Sequence, residues 1–194
     1  MRRISGAERK RIHILAMPRI LVAGIGNIFF GDDAFGCEVV AELMRRSLPE
    51  EVRVVDFGIR SYDLAYAIMD GPDVTILVDA TSQGRSPGTI FLIEPDLNSL
   101  DNESNEVLNA HSMNPIRVLQ MVRSMGGKPG RLYLVGCEPA VLEPEEGAMG
   151  LSEMVQAAVP KALEMIESLV RDLLAEKSDT EPTAHTADAV VPGT

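Results

Sequence analysis

Residues 19–36 read RILVAGIGNIFFGDDAFG. Ile20, Leu21, Val22 and Ala23 make a short apolar run of the kind that a parallel sheet buries on both sides. Gly24 and Gly26 at its end permit a tight turn. Two adjacent acids, Asp32 and Asp33, come next, and an apolar pattern at helical spacing begins directly after them. In open α/β sheets, ligands bind beyond the carboxyl ends of the strands. The stretch therefore predicts a strand, a glycine turn and a helix, with carboxylates where a site belongs.

Outward from this stretch, strands and helices alternate. Residues 34–47 predict a helix with Arg45 and Arg46 in its last turn, where they suit the helix dipole. Residues 52–56 predict a second strand, and residues 61–69 a short helix with Ser61 as its N-cap. Residues 74–79 predict a third strand that closes on an acid, Asp79. A fourth strand over 89–93 follows after only about ten residues, too few for a helical crossover, so it belongs antiparallel or at an edge. Residues 95–110 are polar and read as a long loop. A helix over 115–125 follows, capped by Asn114 with Pro115 in its first turn. Residues 131–135 predict the fifth strand, and 151–175 a long C-terminal helix interrupted at Pro160. The expected fold is α/β: a three-layer sandwich with a mostly parallel, five-stranded twisted sheet and helices on both faces.

Composition narrows the function classes. The 194 residues suit one domain of ordinary size, and 45% of them are apolar, enough for a sizeable core. No apolar run approaches the roughly 20 residues that span a membrane. Residues 1–18 are basic, and their apolar part is too short for a signal peptide. They read as a flexible extension, or as a start misassigned ahead of Met17. Net charge is −11, and the first 19 residues carry six Arg/Lys against one Glu, so the rest sits near −16. Such acidity disfavours nucleic acid and anionic membranes, and tolerates cations or a basic partner. From Lys177 onward the chain is rich in Thr, Ala, Asp and Pro and predicts a disordered acidic tail over 176–194. The two cysteines, Cys37 and Cys137, form no CxxC and no disulfide framework, which fits a reducing cytoplasm.

The usual hydrolase signatures, GxSxG, HExxH and a Walker loop, are absent. GIGN resembles the start of a dinucleotide fingerprint, and Asp56 ends the second strand, but Phe29 stands where the third glycine belongs. Of the three histidines, His13 and His185 lie in the terminal extensions, which leaves His111, just ahead of a helix. If the first and third strands are neighbours, Asp33 and Asp79 project from one sheet edge, and a loop carrying His111 could close over them. Two carboxylates and one imidazole would make an oxygen and nitrogen site with open positions. Each residue also has a plain structural reading: Asp79 capping a turn, Asp33 capping the next helix, His111 an ordinary loop histidine.

Taken together, GIGNIFFGDDAFG at 24–36, ILVDA at 76–80, PGT at 87–89, His111 ahead of a helix and VGCEP at 135–139 resemble the hydrogenase maturation endopeptidase family. The resemblance runs from about Arg19 to Leu174 and implies a single α/β protease domain over 19–175. It implies a cytoplasmic endopeptidase that removes a short C-terminal extension from the precursor of a nickel–iron hydrogenase large subunit. Such enzymes act after nickel insertion, and the cut lets the C-terminus close over the metal centre. The family's metal-recognition acids and histidine fall on Asp33, Asp79 and His111, the candidate catalytic and metal-binding residues. The nickel is expected to arrive with the precursor, and the precursor is the expected partner. A nucleotide-binding Rossmann-like protein and a non-catalytic nickel chaperone with the same three ligands are the competing readings. One loop departs from the pattern: after the second strand, where relatives often carry paired glycines, the chain reads Asp56-Phe57-Gly58-Ile59.

Overall fold

The computed structural model describes residues 19–95, 115–142 and 149–178. Five strands form one sheet: β1 (Ile20–Ile25), β2 (Val52–Gly58), β3 (Val74–Ala80), β4 (Ile90–Ile93) and β5 (Arg131–Cys137), in the order β2-β1-β3-β5-β4. β1 pairs in parallel with β2 and β3, and β3 with β5. β4 closes one edge antiparallel to β5. The helices are α1 (Phe35–Leu43), α2 (Ser61–Met69), α3 (Pro115–Ser124), α4 (Glu153–Gln156) and α5 (Val159–Ser178).

Every residue of β1 and β3 is buried, because both faces of the sheet are covered. Alternate residues feed opposite cores. Ile20, Val22, Val74, Ile76 and Val78 pack with Phe35, Val39, Val40 and Leu43 of α1 and with Ala162, Leu163, Ile166 and Val170 of α5. Leu21, Ala23, Ile25 and Leu77 pack with Leu64, Ala65 and Ile68 of α2 and with Val118, Leu119 and Val122 of α3. The three-layer α/β sandwich expected from the alternating pattern is the observed fold.

Four local expectations are corrected. The first helix ends at Leu43, so Arg45 and Arg46 lie beyond its last turn. They make ion pairs instead, Arg45 with Glu42 at 2.6 Å and Arg46 with Glu167 of α5 at 2.7 Å. Ser61 is not the cap of α2: Arg60 holds that position, without a side-chain cap bond. Pro160 does not interrupt a helix. It sits in the first turn of α5, where its missing N–H costs nothing, and the break falls ahead of it between α4 and α5. α5 also continues to Ser178, beyond 175, and Glu176 on it pairs with Arg131 of β5 at 2.7 Å. The long loop read over 95–110, the Asn114 cap and the terminal extensions at 1–18 and from 179 onward lie outside the described residues, apart from Pro95.

Two glycines shape the end of β1. A Cβ on Gly36 would lie 2.1 Å from the Val78 carbonyl and 2.3 Å from that of Ile25, so α1 seats directly on β1 and β3. Gly26 has φ +132°, and a Cβ there would meet the Asp33 carbonyl at 1.8 Å. The turn is therefore folded tightly back on the acidic stretch that follows it.

Candidate active site

Because β1 and β3 are adjacent and parallel, their carboxyl ends open on the same sheet edge. Asp33 lies in a 3-10 turn (Gly31–Ala34) between β1 and α1. Its Oδ2 accepts the Asn27 N–H at 2.7 Å. It does not cap α1: Ala34 holds that position. Asp79 is the penultimate residue of β3 and is 4% exposed. The Thr81 hydroxyl donates to Asp79 Oδ2 at 3.3 Å. Burial pushes the Asp79 carboxyl well above its ordinary range, and the negative charge of Asp33 pushes it further, while bonds from Thr81 and the Ala80 N–H oppose the shift.

The structure thus brings Asp33 and Asp79 to one edge, with the charge of Asp33 acting on Asp79. His111 lies outside the described residues. Among the described residues, no group of three His, Cys, Asp or Glu side chains could hold a metal ion. A neighbouring pair of carboxylates, one of them buried, suits a divalent cation that takes its remaining ligands elsewhere.

Two buried acids that the sequence did not mark as candidate site residues hold this edge in place. Asp32 is 1% exposed, and its carboxylate accepts the N–H groups of Ala140 at 2.8 Å, Val141 at 3.0 Å and Ser152 at 2.7 Å, and the Ser152 hydroxyl at 3.0 Å. The adjacent acids therefore divide their work: Asp32 ties three segments together, and Asp33 is left beside Asp79. Glu138, just past β5, accepts the Ser82 hydroxyl at 3.0 Å and the Gln83 N–H at 2.6 Å. Burial pushes its carboxyl up, but the N–H groups of Gln83, Arg85 and Gly84 and the Ser82 hydroxyl outweigh that and hold it below its ordinary range. Glu138 so anchors the segment that leaves Asp79. The sequence signal was faint in both cases: an acid beside another acid, and an acid after a strand.

The cysteines are not nucleophiles here. Burial, then the nearby Asp56 and Asp33, push the Cys37 thiol up to about 12, and burial, with Asp32 and Glu138, pushes Cys137 up to about 12. A dinucleotide reading fits poorly as well. The second glycine of that motif leaves room for a pyrophosphate, whereas the space at Gly26 is filled by the Asp33 carbonyl. Two carboxylates also precede α1, where an anion would have to sit.

Known proteins similar to this chain fall in one family. Residues 37–169 match the family model described as hydrogenase maturation protease. The hydrogenase 2 maturation protease of Escherichia coli K12 is 33% identical over 156 residues, covering 79% of this chain and 92% of that protein. Among solved structures, the hydrogenase maturating endopeptidase HybD from E. coli is similar with a TM-score of 0.64 at 32% identity, covering 79% of this chain and 93% of that one. The hydrogenase 2 maturation peptidase from a Thaumarchaeota archaeon has a TM-score of 0.60 at 29% identity, covering 78% of this chain and 97% of that one. With its family model spanning most of the sheet, and with relatives sharing nearly their whole length, the chain belongs to the hydrogenase maturation protease family.

Proposed function

We propose that this chain is the endopeptidase that removes the C-terminal extension from a nickel–iron hydrogenase large-subunit precursor, in the cytoplasm, after nickel has been inserted. The observation that carries the reading is the pairing of Asp33 with buried Asp79 at the carboxyl edge of the sheet, in a chain of this family. The two buried free cysteines suit a reducing compartment. No helix among the described residues is long and apolar enough to cross a membrane.

Asp33, Asp79 and His111 would hold the precursor's nickel, which stays part of the substrate. Bound there, the ion would supply polarisation of the scissile carbonyl or activation of water. The chain's own residues do the positioning. The Asn27 N–H fixes the Asp33 carboxylate, and the Thr81 hydroxyl fixes that of Asp79. Burial of Asp79 excludes water from its surroundings, where attraction between a carboxylate and an arriving cation is stronger than in water. A site completed by the substrate's own metal would also reject precursor that has not yet received nickel, a discrimination that peptide affinity alone does not provide.

The test is to incubate the protein with nickel-loaded precursor and follow intact mass. The expected result is a precursor shortened by its C-terminal extension, with no shortening by the Asp33→Asn or His111→Ala proteins. A precursor of unchanged length, with nickel transferred to the protein, would mean a nickel chaperone instead.

A further inference from the structure

Three loops at the carboxyl edge carry large apolar side chains into solvent. Ile28, Phe29 and Phe30 follow β1 and are 44%, 58% and 41% exposed. Ile59 follows β2 and is 66% exposed; Val141 follows β5 and is 49% exposed. Single exposed apolar residues are ordinary, but a contiguous set beside a functional group marks an interaction surface. These loops are joined at their bases. The Gly26 N–H donates to the Gly58 carbonyl at 3.1 Å, and the Asp32 N–H to the Val141 carbonyl at 3.2 Å.

The aromatics are also held in place. Asn27 Oδ1 accepts the Phe29 N–H at 3.1 Å, and the Asn27 carbonyl accepts the Phe30 N–H at 3.0 Å. The Phe30 carbonyl accepts the Asp33 N–H at 3.1 Å. The same Asn27 donates its own N–H to the Asp33 carboxylate. One residue therefore fixes the acid and holds the backbone of the two phenylalanines beside it.

We propose that Ile28, Phe29, Phe30, Ile59 and Val141 form an apolar collar that docks the hydrogenase precursor by apolar side chains flanking the bond to be cut. The inference rests on the function proposed above. The occupant follows from continuity: the turn that carries Phe29 and Phe30 runs directly into Asp33, so a polypeptide bound at that acid lies beside these side chains. A backbone already fixed before binding lowers the ordering cost, and phenylalanine is enriched at the centres of protein interfaces.

The test measures binding of nickel-loaded precursor by interferometry, with cleavage followed in parallel, for the wild-type, Phe29→Ser, Ile59→Ser and Met44→Ser proteins. Met44 is 50% exposed but lies past the end of α1, away from the collar. Phe29→Ser and Ile59→Ser should each weaken binding and raise KM about tenfold, with kcat within about twofold of wild type, and Met44→Ser should do neither. Circular dichroism should be the same for all four. Unchanged binding by both collar variants would overturn the collar, and cleavage by the wild type would then still support the protease reading. Weakened binding without any cleavage would keep the collar and remove the protease reading. Self-association of the wild type that Phe29→Ser abolishes, with precursor binding unchanged, would assign the surface to a second copy of the chain and refute the proposal.

Discussion

Asp79 is buried at the end of β3 with the negative charge of Asp33 acting on it, an arrangement that costs folding free energy. Replacing the carboxylate by a neutral amide of the same shape removes that cost and also removes a ligand. Asp79→Asn should therefore melt at the same temperature as wild type or higher, while processing falls on the order of 100-fold or more. Thermal denaturation beside a processing time course checks both halves. A clear drop in melting temperature would mean that the carboxylate is structural. The positions of Asp33 and Asp79 were legible because Asp33 follows one plainly buried strand and Asp79 lies at the end of another. The role of Asp32 was not, since the donors that hold it come from Ala140 and Ser152, 108 and 120 positions away. Nothing local distinguishes the acid that turns inward from its neighbour.

Buried strands are the elements that show most plainly in the sequence. β1 and β3 are mostly apolar and buried throughout because helices cover both sheet faces, and the short 81–89 link leaves β4 only an antiparallel edge position. Helix ends are less legible, because partners across the fold decide them: Arg46 is drawn to Glu167 rather than to its own helix end. β3 also contains a local inconsistency. The Thr75 hydroxyl is buried with no hydrogen-bond partner among the described residues. Thr75→Val should stabilise the protein by about 1 kcal/mol in urea denaturation, since an orphaned buried hydroxyl costs about that much; a destabilised variant would show that the hydroxyl has a partner. The segment after β3 depends on Glu138. A carboxylate held below its ordinary value of 4.5 in the folded state contributes stability that is full above that value and is lost as pH falls through the folded one. Glu138→Gln should thus be less stable than wild type at pH 7, with a shallower loss of stability on acidification. An identical acid limb in the two proteins would contradict this role.

At the scale of the whole molecule, the strand order sets β1 beside β3 and thereby brings together acids 46 positions apart in sequence. The fold class was legible from the alternation of strands and helices, while the apolar surface beside the acids was not, because exposure of Phe29 and Ile59 is a property of loop geometry rather than of residue type. The central claim is that Asp33, Asp79 and His111 form a site that is incomplete until the substrate brings its metal. Its most direct test compares three substrates side by side: nickel-loaded precursor, metal-free precursor and a free peptide spanning the junction. Only the loaded precursor should be shortened. Efficient, chelator-resistant cleavage of the free peptide would contradict the claim, since that would require a self-sufficient protease site.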